Sequence, residues 1–408
     1  MMRDVPAPGD GPLSGVTILD CTIWQAGPYS TVILSDLGAK VIKVEDAILG
    51  DPGRGLTDPG GNGGLSTYFE AMNRNKRSIT INLQTDKGQA VFYRLAKEVD
   101  VVVQNFRVGV VEKLKIDYAT LKNINPRLIY ASASGFGSRG PDAKVGVYDL
   151  TGMARSGAMR ALQYPDCELE YTGGFGLADQ TLGIVLAQSI IAALFARERF
   201  GIGQEVETSE LGAMLMLQQM GITRYLMSGG FEASRQTRRQ PMNPLFSIYC
   251  CAMGDWISVG GIQADRYWAD FCRVLNLPHL VEDTRFANME VRGRNSAALV
   301  PMLDEVFARK SRSHWIEELT SIKMPCAPVN TYDDLADDPQ VVANNYIEQV
   351  EHPSHGILRT VGTTIRFGET PGRVRTAAPE FGQHTEEVLL EAGFEWDEIV
   401  SLRRDGIL

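Results

Sequence analysis

The sequence has 408 residues, of which 44% are hydrophobic and 22% are charged, a composition typical of globular proteins. A chain of this length predicts a well-buried core and more than one domain. The 50 acidic residues outnumber the 40 basic ones, and the net charge of −10 argues against a general nucleic-acid binder.

The apolar segments predict a protein without a membrane span. Residues 1–11 are rich in Pro, Gly and Asp, which indicates a flexible tail, since a signal peptide needs an apolar core. Leu182–Phe195 is the most apolar long stretch, but it is too short to cross a bilayer. None of the six cysteines forms a CxxC pair, so we expect reduced thiols in a cytoplasmic protein.

Strand and helix patterns alternate over the first 135 residues. The predicted strands are Val16–Asp20, Val41–Val44, Ser78–Leu83, Val101–Val103 and Leu128–Ser132. The predicted helices between them are Pro28–Gly38, Asp86–Val99 and a segment around Tyr118–Lys122. This alternation is typical of an α/β fold with a mainly parallel sheet that is covered on both faces.

The rest of the chain continues the large body and then contains a second, smaller domain and a C-terminal return. Its predicted helices are Thr181–Arg199, Leu211–Met227 and Thr385–Ala392. Its predicted strands are Glu205–Thr208, a hairpin of Leu245–Tyr249 with Trp256–Val259, and Thr363–Phe367. The outline is a large α/β body of 12–227, a polar linker of 228–244, a small α/β domain of 245–330 and a C-terminal return of 331–408.

Common cofactor motifs are absent from the sequence. The loop after the first predicted strand reads DCTIWQAGPYS and has no GxGxxG, and no P-loop, HExxH or GxSxG occurs elsewhere. We therefore expect no metal and no nicotinamide or flavin. The five histidines all lie from His279 onward, so chemistry in the N-terminal half would lack a local imidazole base.

A glycine-rich turn, YTGGFGLAD at 171–179, places Asp179 at the start of a long apolar helix. Its glycines permit a sharp turn and a close approach of the backbone. Aspartate is a favoured helix N-cap, so capping alone explains the residue. A carboxylate at the positive end of a helix also stays ionised and can attack an activated carbonyl. This motif leaves both roles open.

Five segments follow one another in a recognisable order. They read LDCTIWQAGPYSTVILSDLGAKVIKVE, NRNKRSITINL, VVVQNFRVGVVEKL, ASASGFGSRGP and ADQTLGIVLAQSIIAALFARERFGIGQEVETSE. Together with weaker segments near 327–345 and 382–393, they resemble the class III CoA-transferase family of CaiB/BaiF type, which includes crotonobetainyl-CoA and formyl-CoA transferases. The resemblance covers essentially the whole chain.

The resemblance implies a fold and a reaction. The expected fold is an interlocked homodimer in which a Rossmann-like large domain is built from both ends of the chain around a smaller domain. The expected substrates are an acyl-CoA and a free carboxylic acid. Asp179 falls on the family's nucleophile, which forms an aspartyl anhydride and then an aspartyl-CoA thioester.

The resemblance also implies CoA contacts in the loops that follow the strands. The matching residues are Gln25, Ala26, Asn105, Phe106, Lys113, Ser134, Gly135 and Phe136. Lys113 stands where an arginine is usual and Asp46 where a basic residue is frequent, so Arg107 is a candidate compensating cation. Without the resemblance, we would interpret Arg107, Lys113, Lys76 and Arg77 as surface charge.

Trp24 and Tyr148 are candidate walls of an acyl pocket, although packing explains them equally well. Tyr148 stands where the related α-methylacyl-CoA racemases carry a histidine. A tyrosine with an ordinary pKa near ~10 is a poor base for an α-proton, so we favour transfer over racemisation or epimerisation. A non-catalytic CoA-binding protein is a further alternative.

Overall fold

The computed structural model describes residues 11–56, 64–163, 168–169, 174–230 and 237–408. Most of the predicted tail, the first three residues of the glycine-rich turn and the middle of the predicted linker therefore lie outside the described residues. The described chain forms two compact units, one from residues within 1–161, 170–223 and 340–408, and one from residues within 162–169 and 224–339.

A six-stranded parallel sheet organises the first unit. It consists of β1 Thr17–Asp20, β2 Lys40–Glu45, β3 Lys76–Thr80, β4 Val101–Gln104, β5 Ile129–Ser134 and β6 Gln204–Ser209. Two smaller sheets contain β7 Phe246–Cys250, β8 Trp256–Gly260 and β9 Cys326–Pro328, and β10 Ile347–His352 and β11 Gly356–Val361. The sheet order is β3-β2-β1-β4-β5-β6 with every pair parallel. The predicted α/β fold with a parallel sheet is thus confirmed.

The predicted strand Thr363–Phe367 is wrong. The strands of this region are β10 and β11, which pair with each other in antiparallel fashion. Residues 363–367 follow β11 without regular structure, and the backbone N–H of Thr363 donates to the Glu348 side chain at 3.3 Å. A side-chain acceptor thus takes the place of a partner strand.

Helices cover the sheet and form most of the second unit. They are α1 Ala26–Asp36, α2 Thr67–Asn73, α3 Asp86–Glu98, α4 Val110–Lys113, α5 Tyr118–Ile124, α6 Asp149–Arg155, α7 Ala158–Leu162, α8 Leu177–Phe200, α9 Glu210–Leu217, α10 Gln219–Met227, α11 Ala264–Val274, α12 Met289–Arg294, α13 Ser296–Phe307, α14 Arg312–Ser321, α15 Tyr332–Ala336, α16 Pro339–Ala343, α17 Thr385–Glu391 and α18 Trp396–Arg404.

The single helix predicted over Leu211–Met227 is wrong, because α9 and α10 are separated at Gln218. The Gln218 Nε2 donates to the carbonyl oxygens of Ser156 at 3.2 Å and Met214 at 2.9 Å. This side chain therefore ties the break to the loop after α6.

The core of the first unit lies on both faces of the sheet. Alternate residues of each strand point to opposite faces, so Leu19 packs with Phe92 of α3 while Ile18 packs with Leu186 and Ile190 of α8. In the second unit, the antiparallel strands β7, β8 and β9 pack on α11, α13 and α14 around an aromatic core.

Candidate active site

A ligand-binding crevice is expected where the strand order of the sheet reverses. The chain moves outward from β1 through β2 in one direction and from β4 through β5 in the other, which makes the β1–β4 boundary a topological switch point. Open α/β sheets bind ligands there, beyond the carboxyl ends of the strands. Gln25 and Ala26 follow β1, Asn105 and Phe106 follow β4, and Ser134 ends β5. The fold thus brings these predicted contacts to one sheet edge.

Asn105 fixes the loop after β1. Its Oδ1 accepts the backbone N–H of Ile23 at 2.9 Å, and its Nδ2 donates to the Ile23 carbonyl at 2.8 Å. The two bonds satisfy both backbone polar groups of Ile23. Asn105 therefore fixes the backbone immediately before Trp24 and Gln25.

Trp24 adopts a strained backbone conformation and meets the second candidate pocket residue. Its φ is 65°, which is uncommon for a residue other than glycine. The backbone N–H of Trp24 donates to Asp51 Oδ1 at 3.2 Å, which helps to hold that conformation. Its ring meets the Tyr148 ring edge to face, with centroids 6.3 Å apart. The two predicted pocket residues are therefore neighbours.

Gln25 connects the crevice to the glycine-rich turn. Its Nε2 donates to the carbonyl of Phe175 at 3.1 Å, just before α8. Gly176 has a φ of +72°, and a Cβ there would lie 2.2 Å from the Gln25 Nε2. Glycine is thus required at 176 both for its backbone conformation and for space.

The start of α8 is capped by a residue from another helix. Its N-cap position is Gly176 and Asp179 is its third residue, so the interpretation of Asp179 as the cap is wrong. Asp149 of α6 supplies the acceptor, since its Oδ1 receives the backbone N–H of Ala178 at 2.7 Å and of Asp179 at 3.3 Å. These are donors that a helix start leaves unsatisfied. The Asp179 carboxyl group is consequently not needed for capping.

Acidic groups surround Asp179. Burial raises the pKa of Asp179 to about 7, and the charge of Asp149 adds to this shift. Burial also raises the pKa of Glu210 to about 8, with further contributions from Asp179 and Asp149. No cation of the described chain opposes either shift, so these carboxyl groups share a retained proton near neutral pH.

Tyr68 on α2 is a further neighbour of the nucleophile candidate. Burial raises the pKa of its hydroxyl, and the charges of Asp179 and Asp51 raise it further. Its ring packs on Gly53, where an added Cβ would lie 3.0 Å from the Tyr68 Cε1. A neutral phenol in this position is a candidate hydrogen-bond donor to an oxyanion.

Two fully buried ion pairs support the loop after β1. Lys76 Nζ lies 3.0 Å from Asp20 Oδ2, and Lys43 Nζ lies 2.7 Å from Asp51 Oδ2. Lys43 also donates to the Thr22 carbonyl at 2.8 Å. The interpretation of Lys76 as surface charge is therefore wrong, and burial lowers its pKa to about 8 against the pull of Asp20.

The predicted phosphate cations lie on the surface. Arg107 is exposed, and its guanidinium packs on Gly146, where a Cβ would lie 2.6 Å from Nη2. Lys113 ends α4 and is also exposed. Asp46 turns its carboxylate toward its own loop, where Oδ1 accepts the N–H groups of Ile48 and Leu49.

The contacts predicted after β5 lie close to α6. A Cβ on Gly135 would lie 2.2 Å from Val147, so glycine permits this close approach. The Arg155 guanidinium of α6 lies 5.2 Å from the centroid of the Phe136 ring. Ser134 donates to the Thr208 carbonyl at 3.4 Å, which joins β5 to β6.

Sequence reasoning missed Asp149, Tyr68 and Glu210. Asp149 directly follows Tyr148, and this adjacency is the signal that could have pointed to it. Tyr68 and Glu210 carry no motif, and only the folded chain brings them to Asp179. Within the described residues, no group of three or more His, Cys, Asp or Glu side chains is arranged to hold a metal ion.

Known proteins resemble this chain over most of its length. A profile of "CoA-transferase family III" matches residues 13–385. An acyl-CoA transferase of Fusarium pseudograminearum is 34% identical over 98% of this chain and 88% of that protein. An acetyl-CoA:oxalate CoA-transferase of Acetobacter aceti is 34% identical over 85% of this chain and 88% of that protein.

A solved structure extends the likeness to the fold. The crystal structure of a CAIB/BAIF family protein from Brucella suis has a TM-score of 0.84 and 31% identity, and the match covers 94% of this chain and 99% of that one. These relatives confirm the family that the ordered motifs indicated. The chain therefore belongs to CoA-transferase family III and is a CoA-transferase.

Proposed function

We propose that the enzyme moves CoA from an acyl-CoA thioester to a free carboxylic acid, with Asp179 as its covalent nucleophile. One observation carries the proposal: Gln25, in the loop after β1 at the switch point of the sheet, donates a hydrogen bond to Phe175 just ahead of the helix that bears Asp179. A half-buried carboxylate at a helix start, linked to a ligand-binding crevice, suits covalent acyl chemistry.

The proposed reaction has two half-transfers. An oxygen of Asp179 attacks the donor's acyl carbon, the C–S bond breaks, and the electron pair leaves on sulfur as CoA thiolate. The thiolate then attacks the aspartyl carbon of the mixed anhydride, and the donor acid leaves as a carboxylate. The acceptor carboxylate attacks the resulting aspartyl-CoA thioester and repeats both steps in reverse, which restores Asp179.

The pKa of Asp179 suits this role. Because burial and then Asp149 raise it to about 7, a substantial fraction is ionised at neutral pH. The ionised form is also more basic than that of an exposed aspartate, and nucleophilic reactivity rises with basicity. The Tyr68 hydroxyl is the proposed donor to the oxyanion that forms at each attack.

The proposed CoA site is the switch-point crevice. Exposed Arg107 and Lys113 are the proposed contacts for the phosphates, since phosphate recognition needs accessible cations. Trp24 and Tyr148 form the proposed wall of the acyl pocket, because their rings meet edge to face and Trp24 directly precedes Gln25.

The proposed active form is an interlocked homodimer, with 12–227 and 331–408 as its large domain, 228–244 as linker and 245–330 as small domain. Ile184, Ile191 and Phe195 are exposed on α8 at the spacing i, i+7, i+11, which aligns them on one face. An exposed apolar stripe marks an interface, and a second copy of the chain is the proposed partner.

The proposed location is the cytoplasm. The described cysteines are free, as a reducing compartment favours: Cys21, Cys250, Cys251, Cys272 and Cys326. α8 is long and apolar enough to cross a bilayer by composition. However, its Leu182, Leu186 and Ile190 pack in the core beside the sheet, so we interpret it as a core helix.

Trapping of the covalent intermediate tests the nucleophile. With an acyl-CoA donor and no acceptor, hydroxylamine should convert the Asp179 adduct to a hydroxamate that peptide mass spectrometry locates. We expect D179N to form no adduct and to lose transfer by on the order of 10³-fold or more. E198Q changes an exposed residue of the same helix and is the control, so it should keep both adduct formation and transfer activity. Wild-type transfer without an adduct, or an active D179N, would overturn the assignment.

An acceptor screen identifies the acid. Succinyl-CoA and acetyl-CoA serve as donors, and mass spectrometry detects new thioesters across a panel of carboxylic acids that includes oxalate. Deuterium wash-in at the α-carbon without an acceptor would instead indicate a racemase. CoA binding without turnover of any acid would indicate a non-catalytic protein.

A further inference from the structure

Glu210 is an acidic side chain in an apolar place. It is the first residue of α9, where a glutamate would ordinarily lie in solvent, yet only 3% of it is exposed. Its Oε1 is buried and has no hydrogen-bond partner among the described residues. A buried carboxyl group without a partner is costly when ionised, so its presence requires an explanation.

The opposing helix is shaped to receive this side chain. A Cβ on Gly152 of α6 would lie 1.8 Å from Glu210 Oε1 and 2.5 Å from its Cδ. Glycine inside a helix is destabilising relative to alanine, so its presence on this face of α6 needs a reason. Gly152 therefore leaves the space that the Glu210 carboxyl group occupies, and the two residues form a steric match.

The same face of α6 carries Asp149, one turn before Gly152. Asp149 in turn holds the backbone N–H of Asp179, so three carboxyl groups meet where α6, α8 and α9 pack together. Apolar side chains line this junction: Met153, Ala158, Ala178 and Met214 form its buried cluster. The local dielectric is consequently low, and each charge acts strongly on the others.

Arg155 and Arg197, on the packed helices, are paired with other carboxylates. Arg155 of α6 pairs with Asp142 at 2.6 Å, and the acidic side chains of β6, Glu205 and Glu207, are exposed. Arg197 of α8 pairs with Asp100 at the far end of that helix. The charged groups that act on Glu210 are Asp179 and Asp149, and the Tyr68 hydroxyl is a further neighbour of Asp179.

We propose that Glu210 is a positioning residue that carries the proton of this three-carboxyl cluster and so leaves Asp179 as the ionised nucleophile. This rests on the function proposed above. Glu210 is almost fully buried and its Oε1 has no partner among the described residues, whereas Asp179 is only half-buried, so the proton resides on Glu210. Asp179 ionises first as pH rises, and Glu210 follows.

The proposed role also accounts for charge during the reaction. When Asp179 forms the anhydride, its negative charge leaves with the CoA thiolate, and the neutral Glu210 does not oppose the oxyanion that forms on the way. An ionised Glu210 would place a second negative charge beside that oxyanion in a low dielectric. Transfer should therefore slow as Glu210 loses its proton at alkaline pH.

Infrared difference spectroscopy on the full-length protein tests where the proton resides. The band of protonated carboxyl groups should disappear in two steps between about pH 6 and pH 9 in the wild type. E210Q should keep only the step at lower pH, which belongs to Asp179. D179N should keep only the Glu210 step, and this step should move to lower pH because the Asp179 charge is gone. E198Q, an exposed glutamate change, is the matched control and should leave both steps intact.

The rate profile provides the second readout. Single-turnover CoA transfer should fall above about pH 8 in the wild type and stay level in E210Q, whose rate at pH 7 should lie within about threefold of wild type. G152A keeps Glu210 but fills the space that its carboxyl group occupies, so it should move the Glu210 step of the infrared titration to a different pH. This variant replaces E210Q as the test if E210Q fails to fold.

Two results would overturn the proposal. One is a single infrared step that E210Q leaves unchanged, and the other is a neutral-pH band that D179N abolishes while E210Q retains it. The infrared titration needs no substrate. It therefore tests whether Glu210 carries the proton even if trapping shows that Asp179 is not the nucleophile.

Discussion

At the scale of single residues, two different aspartates have two different roles. Asp149 is the hydrogen-bond acceptor at the start of α8, and Asp179 is the carboxylate proposed for the reaction. Asp149 accepts the N–H groups of Ala178 and Asp179, which frees the Asp179 side chain. The same arrangement places a negative charge next to the proposed nucleophile and raises its pKa. Capping and tuning are thus two effects of one side chain.

D149N separates these two effects. Asparagine keeps an oxygen acceptor for the helix N–H groups but removes the charge that raises the pKa of Asp179. The acid limb of the kcat/KM profile should therefore move to lower pH by about half to one unit. D397N, at an exposed position of α18, should leave the limb unchanged. A limb that moves to higher pH would contradict the assigned coupling.

Glu210 also makes stability depend on pH. Its folded-state pKa is raised to about 8 by burial and its acidic neighbours, so its stabilising contribution is complete below about pH 4 and is lost as pH rises through 8. E210Q is always neutral. It should exceed the wild type in free energy of unfolding by ~1 kcal/mol or more at pH 8.5, with a smaller gain at pH 5. Urea unfolding at both pH values measures this, and an equal difference at both would contradict it.

Individual site residues were predictable only where the chain carried a local signal. Asp179 follows a glycine-rich turn, and Gln25 and Asn105 follow apolar strands, so their positions could be predicted. Glu210 could not, because a glutamate after a strand is ordinarily a solvated helix start. Its burial depends on Gly152, which is distant in sequence.

At the scale of elements, the parallel sheet contains buried charged side chains, which protein interiors ordinarily exclude. Lys76 opens β3 and Lys43 lies in the middle of β2, and both side chains are fully buried against Asp20 and Asp51. Burial alone would raise the pKa of Asp20, but Lys76 and Lys43 lower it to about 2. These pairs connect neighbouring strands to the loop that leads into the crevice.

K76M tests the cost of stranding a buried charge. Removal of Lys76 leaves Asp20 with fewer partners, and we expect a loss of ~3–5 kcal/mol in the free energy of unfolding. K97M, on the exposed face of α3, should change it by less than about 0.5 kcal/mol. The double variant D20N/K76M should lose less than K76M alone. Chemical denaturation measures all three, and equal losses in both lysine variants would contradict the role of the pair.

Strands were more predictable than helix breaks. Val101–Val103 and the run before Asp20 are apolar and short, and each became a buried strand of the sheet. The break at Gln218 arises because its side chain bonds to Ser156, a contact that no local pattern contains. The strand predicted at 363–367 is wrong because β11 pairs with β10, while the Thr363 N–H bonds to the Glu348 side chain rather than to a strand.

At the scale of the whole molecule, one long helix serves two surfaces. α8 packs Leu186 and Ile190 into the sheet, while Ile184, Ile191 and Phe195 remain exposed on the single chain. Its apolar pattern therefore predicted a buried helix correctly, but it did not distinguish the side that packs within the chain from the side proposed to meet a second copy.

I191E/F195E tests the proposed dimer. Light scattering during size-exclusion chromatography should give twice the mass of one chain for the wild type and a smaller mass or aggregation for the variant, because two charges enter the apolar stripe. V400E places a glutamate at an exposed apolar position of α18 and should remain dimeric. A wild-type protein that stays monomeric at micromolar concentration would contradict the interface.

The buried lysines have a consequence for an enzyme that handles reactive thioesters. Acyl-CoA molecules acylate accessible amines without any catalyst, and an exposed lysine beside a thioester site is the natural target. Lys43 and Lys76 lie close to the proposed site but have no exposed side-chain surface. Burial thus protects their amines from acylation by the enzyme's own substrates in the folded protein. Acylation of Lys43 or Lys76 would therefore measure how often this part of the sheet unfolds locally.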